Sequence, residues 1–167
     1  MKNFCLIIYI LGGLGVLATY THGLYTNHEN SSLLWGGIPE SIRVWYVVGM
    51  ILAAIGYLFS SYYIFFVNSN NYIYFSLAYI LILVPSVFWM PLTFKYIYNQ
   101  QDFYWFLIKL ALFLVAFGSF LCVIFLIYFK PKNLNLSYIL GLTGSVLFFL
   151  HTFILDSILW PYFFKNR

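Results

Sequence analysis

Apolar residues fall along this chain in five long blocks, with the polar residues gathered into the stretches between them. Within each block the apolar run is continuous rather than alternating, which favours helices over the strands of a membrane barrel. Read from their edges, the blocks cover residues 4–20, 44–67, 72–94, 103–129 and 137–164. A helix needs ~20 such residues to cross the hydrocarbon core of a bilayer. The last four blocks exceed that length and the first lies near the lower limit. The pattern therefore predicts an all-α fold, a polytopic transmembrane bundle of five helices forming a single integral membrane domain over residues 1–167. Lys2 ahead of the first block, with Val16-Leu17-Ala18 near its end, also resembles a cleavable secretory signal. We expect it to stay as a helix.

Local chemistry sharpens some boundaries. Pro39 suits the first position of a helix and Glu40 its first turn, so the second helix should start ahead of Val44. Asp102 reads as the N-cap of the fourth. The connections are short except for residues 21–43, which include Trp35-Gly36-Gly37. That segment is either a lid over one mouth of the bundle or a plain tether. Five spans put the termini on opposite sides, X for the N-terminus and Y for the C-terminus. Lys2, Lys130 and Lys132 flank X, and Arg43, Lys95, Lys165 and Arg167 flank Y. The division is too even for the positive-inside rule to orient the chain. Glu29, Glu40, Asp102 and the glycosylation sequon Asn30-Ser31-Ser32 all fall on Y.

Composition supports the membrane assignment. The chain is 63% hydrophobic and 7% charged, against about a quarter charged in a soluble domain. Too few polar groups exist to cover a water-facing surface, so the first partner is membrane lipid and the location is an integral membrane one. Aromatics make up 24% of the residues, which suits the headgroup region or reflects an AT-rich coding sequence. The net charge of +4 comes from flanking Lys and Arg; without a basic stripe, no nucleic acid is expected. Cys5 and Cys122 sit in apolar blocks with neither disulfide nor zinc spacing. His22 and His28, with Glu29 beside the latter, lie on an irregular segment, and no metal or other cofactor is expected. No phosphate loop, nucleophile elbow or zinc-protease helix is present, so no catalytic residues are assigned and an enzyme is disfavoured.

Ionisable residues inside the spans carry the most information, because burying charge in lipid is costly. They are Lys109, His151 and Asp156. With the fifth helix centred near His151, Asp156 lies about 7.5 Å further towards Y. Lys109 lies about 10.5 Å towards Y from the centre of the antiparallel fourth helix. The two are expected either to pair or, for Lys109, to snorkel to the Y interface. In an α-helix five residues leave His151 about 140° around the axis from Asp156. His151 should therefore flank the stripe Gly141, Ser145, Phe148, Thr152 and Asp156, whose small and polar members suit close helix contact.

Pro85 and Pro91 should kink or break the third helix, freeing the carbonyls of Leu81 and Val87, with Trp89 turned into protein and Ser86 nearby. Gly49, Ala53 and Gly56 mark a packing face on the second helix. The stretch Trp89-Met90-Pro91-Leu92-Thr93-Phe94, on the third of five spans, resembles the Trp-x-Pro-Leu-Phe-Phe motif of the translocator protein family. Ser86 stands where that family has Asn, and Trp45 does not reproduce its second-helix aromatic spacing. The resemblance implies a binder of tetrapyrroles or sterols.

Three functions follow in order. The first is a small transporter or proton/ion path built on Asp156 and Lys109, with His151, Thr152 and the broken third helix nearby. The second is a binder of hydrophobic small molecules in which Trp89 lines the pocket. The third is a structural subunit bound to other membrane subunits.

Overall fold

The computed structural model describes residues 1–67 and 71–165. Helix α1 runs Lys2–Thr26, followed by a 3-10 helix His28–Trp35. Helix α2 runs Glu40–Tyr62 and widens into a π-helical turn Tyr63–Val67. Helices α3, Tyr72–Asn99, and α4, Asp102–Tyr128, follow. The fifth span is one continuous rod of three parts: α5, Leu136–Leu150, a π-helical segment His151–Leu159, and α6, Trp160–Lys165. Five helical stretches are thus long and apolar enough to cross a membrane. No strand occurs among the described residues. This is the five-helix bundle that the apolar blocks predict.

The helices outrun the blocks. α1 continues from Tyr20 to Thr26 and α3 from Phe94 to Asn99, because nothing in either extension stops a helix. α3 ends where Gln100 takes a left-handed conformation. Glu40 and Asp102 both occupy first turns, where a carboxylate is favoured by the helix dipole. The N-caps are Pro39 and Gln101, so Asp102 is the first helical residue rather than the cap. Asn135 is a true cap, its side chain accepting the Tyr138 amide at 2.8 Å.

The order around the bundle is α1, α3, α4, the fifth span and α2. α4 is the most enclosed helix and α1 the least. Outward faces carry large apolar side chains such as Leu14, Leu58, Phe113 and Ile139, as contact with lipid tails allows. At the X end Lys2 lies over the ring of Phe66. At the Y end Phe164 packs against Gly36, so the described termini stand at opposite ends. Two apolar clusters fill the interior. The X cluster centres on Tyr79 and Phe75, and the Y cluster on Trp105, Ile108 and Trp160. Cys5 and Cys122 are both free and buried in the X cluster.

Small residues set the closest approach. Gly56 of α2 and Gly144 of α5 meet backbone to backbone: a Cβ on Gly56 would lie 2.9 Å from Gly144 Cα. Ala53 is buried on the same face, and a Cβ on Gly49 would meet Leu155 and His151. The Gly49-Ala53-Gly56 face is therefore the seam with the fifth span. Along that span Ser145 and Thr152 are buried, and the Thr152 hydroxyl lies 2.8 Å from that of Ser119 on α4.

Two expectations are corrected. α3 is not broken: it runs as one helix through Pro85 and Pro91. Hydroxyls beside the prolines serve the backbone, Ser86 donating to Ile82 O at 2.7 Å and Thr93 to Trp89 O at 2.8 Å. Neither acceptor is a carbonyl that a proline frees, Leu81 O or Val87 O; α3 packs along its length on α4 and α1. The fifth span, conversely, departs from α-geometry where an α-helix was expected. Its π segment ends just before Pro161, and a wider turn moves the preceding carbonyls away from the proline ring. Inside it the Ser157 hydroxyl lies 2.7 Å from Thr152 O, the shorter contact that takes its proton, and 3.0 Å from Leu112 O of α4.

Candidate functional site

At the X half, α1 and α2 touch through the stacked rings of Tyr9 and Tyr57, 5.7 Å apart. Towards Y they part around a cavity of about 600 Å³. Its walls are built from Tyr20 and Leu24 of α1, Tyr46 and Met50 of α2, and Trp89 and Met90 of α3. The fifth span contributes Asp156 and Trp160. Ser31, Ser32, Leu34 and Trp35 of the 3-10 helix close it on the Y side. Arg43, near the start of α2, also lines the cavity.

The cap is clasped at both ends. The Trp160 indole donates to Leu34 O at 2.8 Å, and the Gly37 amide donates to Phe163 O at 3.2 Å. At the other end the Tyr98 hydroxyl donates to Asn27 Oδ1 at 2.6 Å, and Asn30 reaches that hydroxyl at 3.3 Å. Gly36, with φ of +56°, makes the turn back into α2; a Cβ there would strike Phe164. Of residues 21–43, those up to Thr26 extend α1 and those from Glu40 start α2, and the 3-10 helix between them lines the cavity.

Asp156 is the acid of the cavity. The Tyr46 hydroxyl lies 3.3 Å from its Oδ1 and 2.6 Å from Leu155 O. A hydroxyl has one proton, and the shorter contact takes it, so Asp156 is weakly served. His151 Nε2 stands 3.5 Å from the same oxygen, a charge contact rather than a good hydrogen bond. Among the described residues no hydrogen bond reaches Oδ2. The side chain is 31% exposed, and its opening gives onto the cavity.

The His151–Asp156 contact overturns the expected 140° separation. A π-helix bonds residue i to i+5, so five residues bring two side chains onto one face. His151 Nδ1 is buried without a hydrogen-bond partner, where a Cβ on Gly49 would lie 3.2 Å from it. Gly49 is the space that lets the imidazole fit.

Lys109 does not join this site. It is exposed, with Nζ 5.9 Å from the ring centroid of Trp105, one turn nearer Y. No ion pair joins it to Asp156, because α4 turns Lys109 outwards at the depth where the fifth span turns Asp156 inwards. The stem lies along Trp105 and lifts the ammonium towards the interface. Lys109→Met is accordingly expected to change stability by less than about 0.5 kcal/mol. Thermal unfolding in detergent checks this, and the double variant with Asp156→Leu should match Asp156→Leu alone.

Of the other residues singled out in the sequence, Trp89 lines the cavity. Its ring contacts Tyr20 at 5.7 Å and Trp160 at 5.6 Å, and its indole nitrogen is buried without a partner. Thr152 lies below the cavity, bonded to Ser119 and to its own helix. Ser86 serves the α3 backbone. Tyr20, Trp35, Tyr46 and Trp160 escaped sequence reasoning, although each lies near the Y end of its segment. Trp45 is 73% exposed while its neighbour Tyr46 is buried, so only helix phase separates a lipid-facing aromatic from a site residue.

No family model matches the chain, and neither does any curated protein or solved structure. The likeness to the translocator protein family is thus confined to the Trp89–Phe94 motif and the number of spans.

Proposed function

We propose that this multi-pass membrane protein binds a hydrophobic small molecule in the capped cavity between α1, α2, α3 and the fifth span. The supporting observation is the cavity itself. At about 600 Å³ it falls within the 300–1,000 Å³ typical of small-molecule sites. Its walls are mostly aromatic and aliphatic, with two polar groups that converge: Asp156 and the Tyr46 hydroxyl. Binding sites of this class combine apolar contact with a small number of orienting polar groups.

The same geometry gives less support to an ion path. Towards X the Ser119 and Thr152 hydroxyls are bonded to each other, and the Tyr57 hydroxyl is buried without a partner. Past them lies a void of about 10 Å³ beside Tyr57, Ser60 and Ser145, room for about one water.

Binding can be read from the cavity's own tryptophans, Trp35, Trp89 and Trp160. In lipid nanodiscs a brominated hydrophobic probe is expected to quench them saturably. Ser31→Trp and Leu24→Trp fill the space from the cap and from α1 respectively. Each is expected to weaken saturable binding at least ~10-fold, a loss of about 1.4 kcal/mol, with little change in melting temperature. Quenching that never saturates, or that is unchanged in both filled variants, would count against the pocket.

A further inference from the structure

The chemistry around Asp156 narrows the ligand class. This step rests on the cavity being a binding site. The geometry points to a hydrophobic organic cation, an amine or quaternary ammonium on an apolar body, seated with its charge at Asp156 and its body among the rings.

Four observations lead there. First, the cavity's acid has no fixed counter-ion. Lys109 lies outside the site, over Trp105. Arg43 also lines the cavity but is engaged elsewhere: its Nε donates to Ile38 O at 3.1 Å, Glu40 lies 3.8 Å away and its guanidinium covers Trp35 at 5.7 Å. His151 stands 3.5 Å from Asp156, but imidazole is not a permanent cation. Second, Asp156 Oδ2 has no partner among the described residues and the side chain opens into the cavity. Third, the walls offer aromatic rings from five separate elements: Tyr20, Trp35, Tyr46, Trp89 and Trp160. Cations are attracted to ring faces, and quaternary ammonium groups are held in aromatic cages. Fourth, calcium or magnesium would need about six or more oxygen ligands and zinc about four nitrogen, sulfur or oxygen ligands. The cavity offers one carboxylate among rings, and no group of three or more His, Cys, Asp or Glu side chains occurs among the described residues.

Arg43, over Trp35, disfavours a second cationic group beside it, so the charged end of the ligand goes to Asp156.

The test uses the full chain in zwitterionic-lipid nanodiscs, with empty discs as the baseline for partitioning. Three probes share one alkyl-aryl body and end in trimethylammonium, hydroxyl or carboxylate. The trimethylammonium probe is expected to bind at least ~10-fold more tightly than the hydroxyl probe. Asp156→Asn is expected to bring those two within about twofold by weakening the cation alone. If the wild-type protein binds the hydroxyl probe as well as the cation, or prefers the carboxylate, the cation assignment falls while the pocket stands. If no probe binds saturably, both fall. The wild-type comparison decides the question even if Asp156→Asn folds poorly.

Discussion

Gly56→Ala is expected to destabilise the protein by about 3 kcal/mol, whereas Gly13→Ala should stabilise it by about 0.5–1 kcal/mol. Both changes add one methyl group to a helix and gain the same helix propensity. They differ in what the methyl meets. Nothing lies within 4 Å of a Cβ on Gly13, but a Cβ on Gly56 meets the Gly144 carbonyl oxygen at 2.5 Å and Gly144 Cα at 2.9 Å. No rotamer relieves that clash, because the obstacle is backbone. α2 must move off the fifth span, opening the seam that also holds Gly49 against His151 and Tyr46 against Leu155. Overpacking usually costs about 1–3 kcal/mol, and the rigid obstacle puts this site at the top of that range. Thermal unfolding of both variants in one detergent reads the difference. A Gly56→Ala protein as stable as wild type would show that the helices do not approach so closely.

The second large effect is a contrast between two deletions. Removing Ile154 from the π segment is expected to leave a folded monomer within about 2 kcal/mol of wild type. Removing Leu147 from α5 is expected to abolish it. Both side chains face outwards, at 42% and 38% exposure, so neither loss empties the core. In a regular helix a deletion turns everything beyond it by about 100° and draws it in by about 1.5 Å. Losing Leu147 would carry Thr152 away from Ser119 and Asp156 out of the cavity. The π segment already holds its residues at the wider i to i+5 spacing. Losing one returns it to α-geometry, with Asp156 four residues after His151 and about 40° around the axis. The α5 and α6 contacts then keep their phase. Size-exclusion profiles and melting curves report both outcomes; equal damage from the two deletions would contradict this account.

These cases show what the sequence made legible and where it stopped. Run length and the scarcity of charge are set by the bilayer, so the number and order of spans could be read directly. The Gly49-Ala53-Gly56 face could also be read, because small residues at helical spacing have few other uses in lipid. Asp156 stood out because a mid-span carboxylate is costly. The partner of Asp156 could not be read, since 100° per residue holds only in an α-helix and the fifth span is π-helical from His151 to Leu159. Ser157 bonding back to Thr152 and Pro161 ahead of it favour the wider turn, but neither signal is specific. Lys109 and Asp156 do lie at similar depth, yet depth gives no information about which way each helix is turned. The aromatic walls were obscured by abundance: among 16 Tyr and 19 Phe, no pattern distinguishes the ring that lines a cavity from the ring that meets lipid.

The seam between α2 and the fifth span also orders the protein's biogenesis. α3 and α4 are neighbours in both sequence and space, and can pair as soon as both have entered the bilayer. α2 cannot: Tyr46 bonds to Leu155, 109 residues later. At translation rates of about 5–20 residues per second, α2 waits roughly 5–20 s for its partner, its glycine face open to lipid or to other nascent helices. A chaperone or insertase that shelters one helix of this protein would be needed most at α2, between its own insertion and that of the last span.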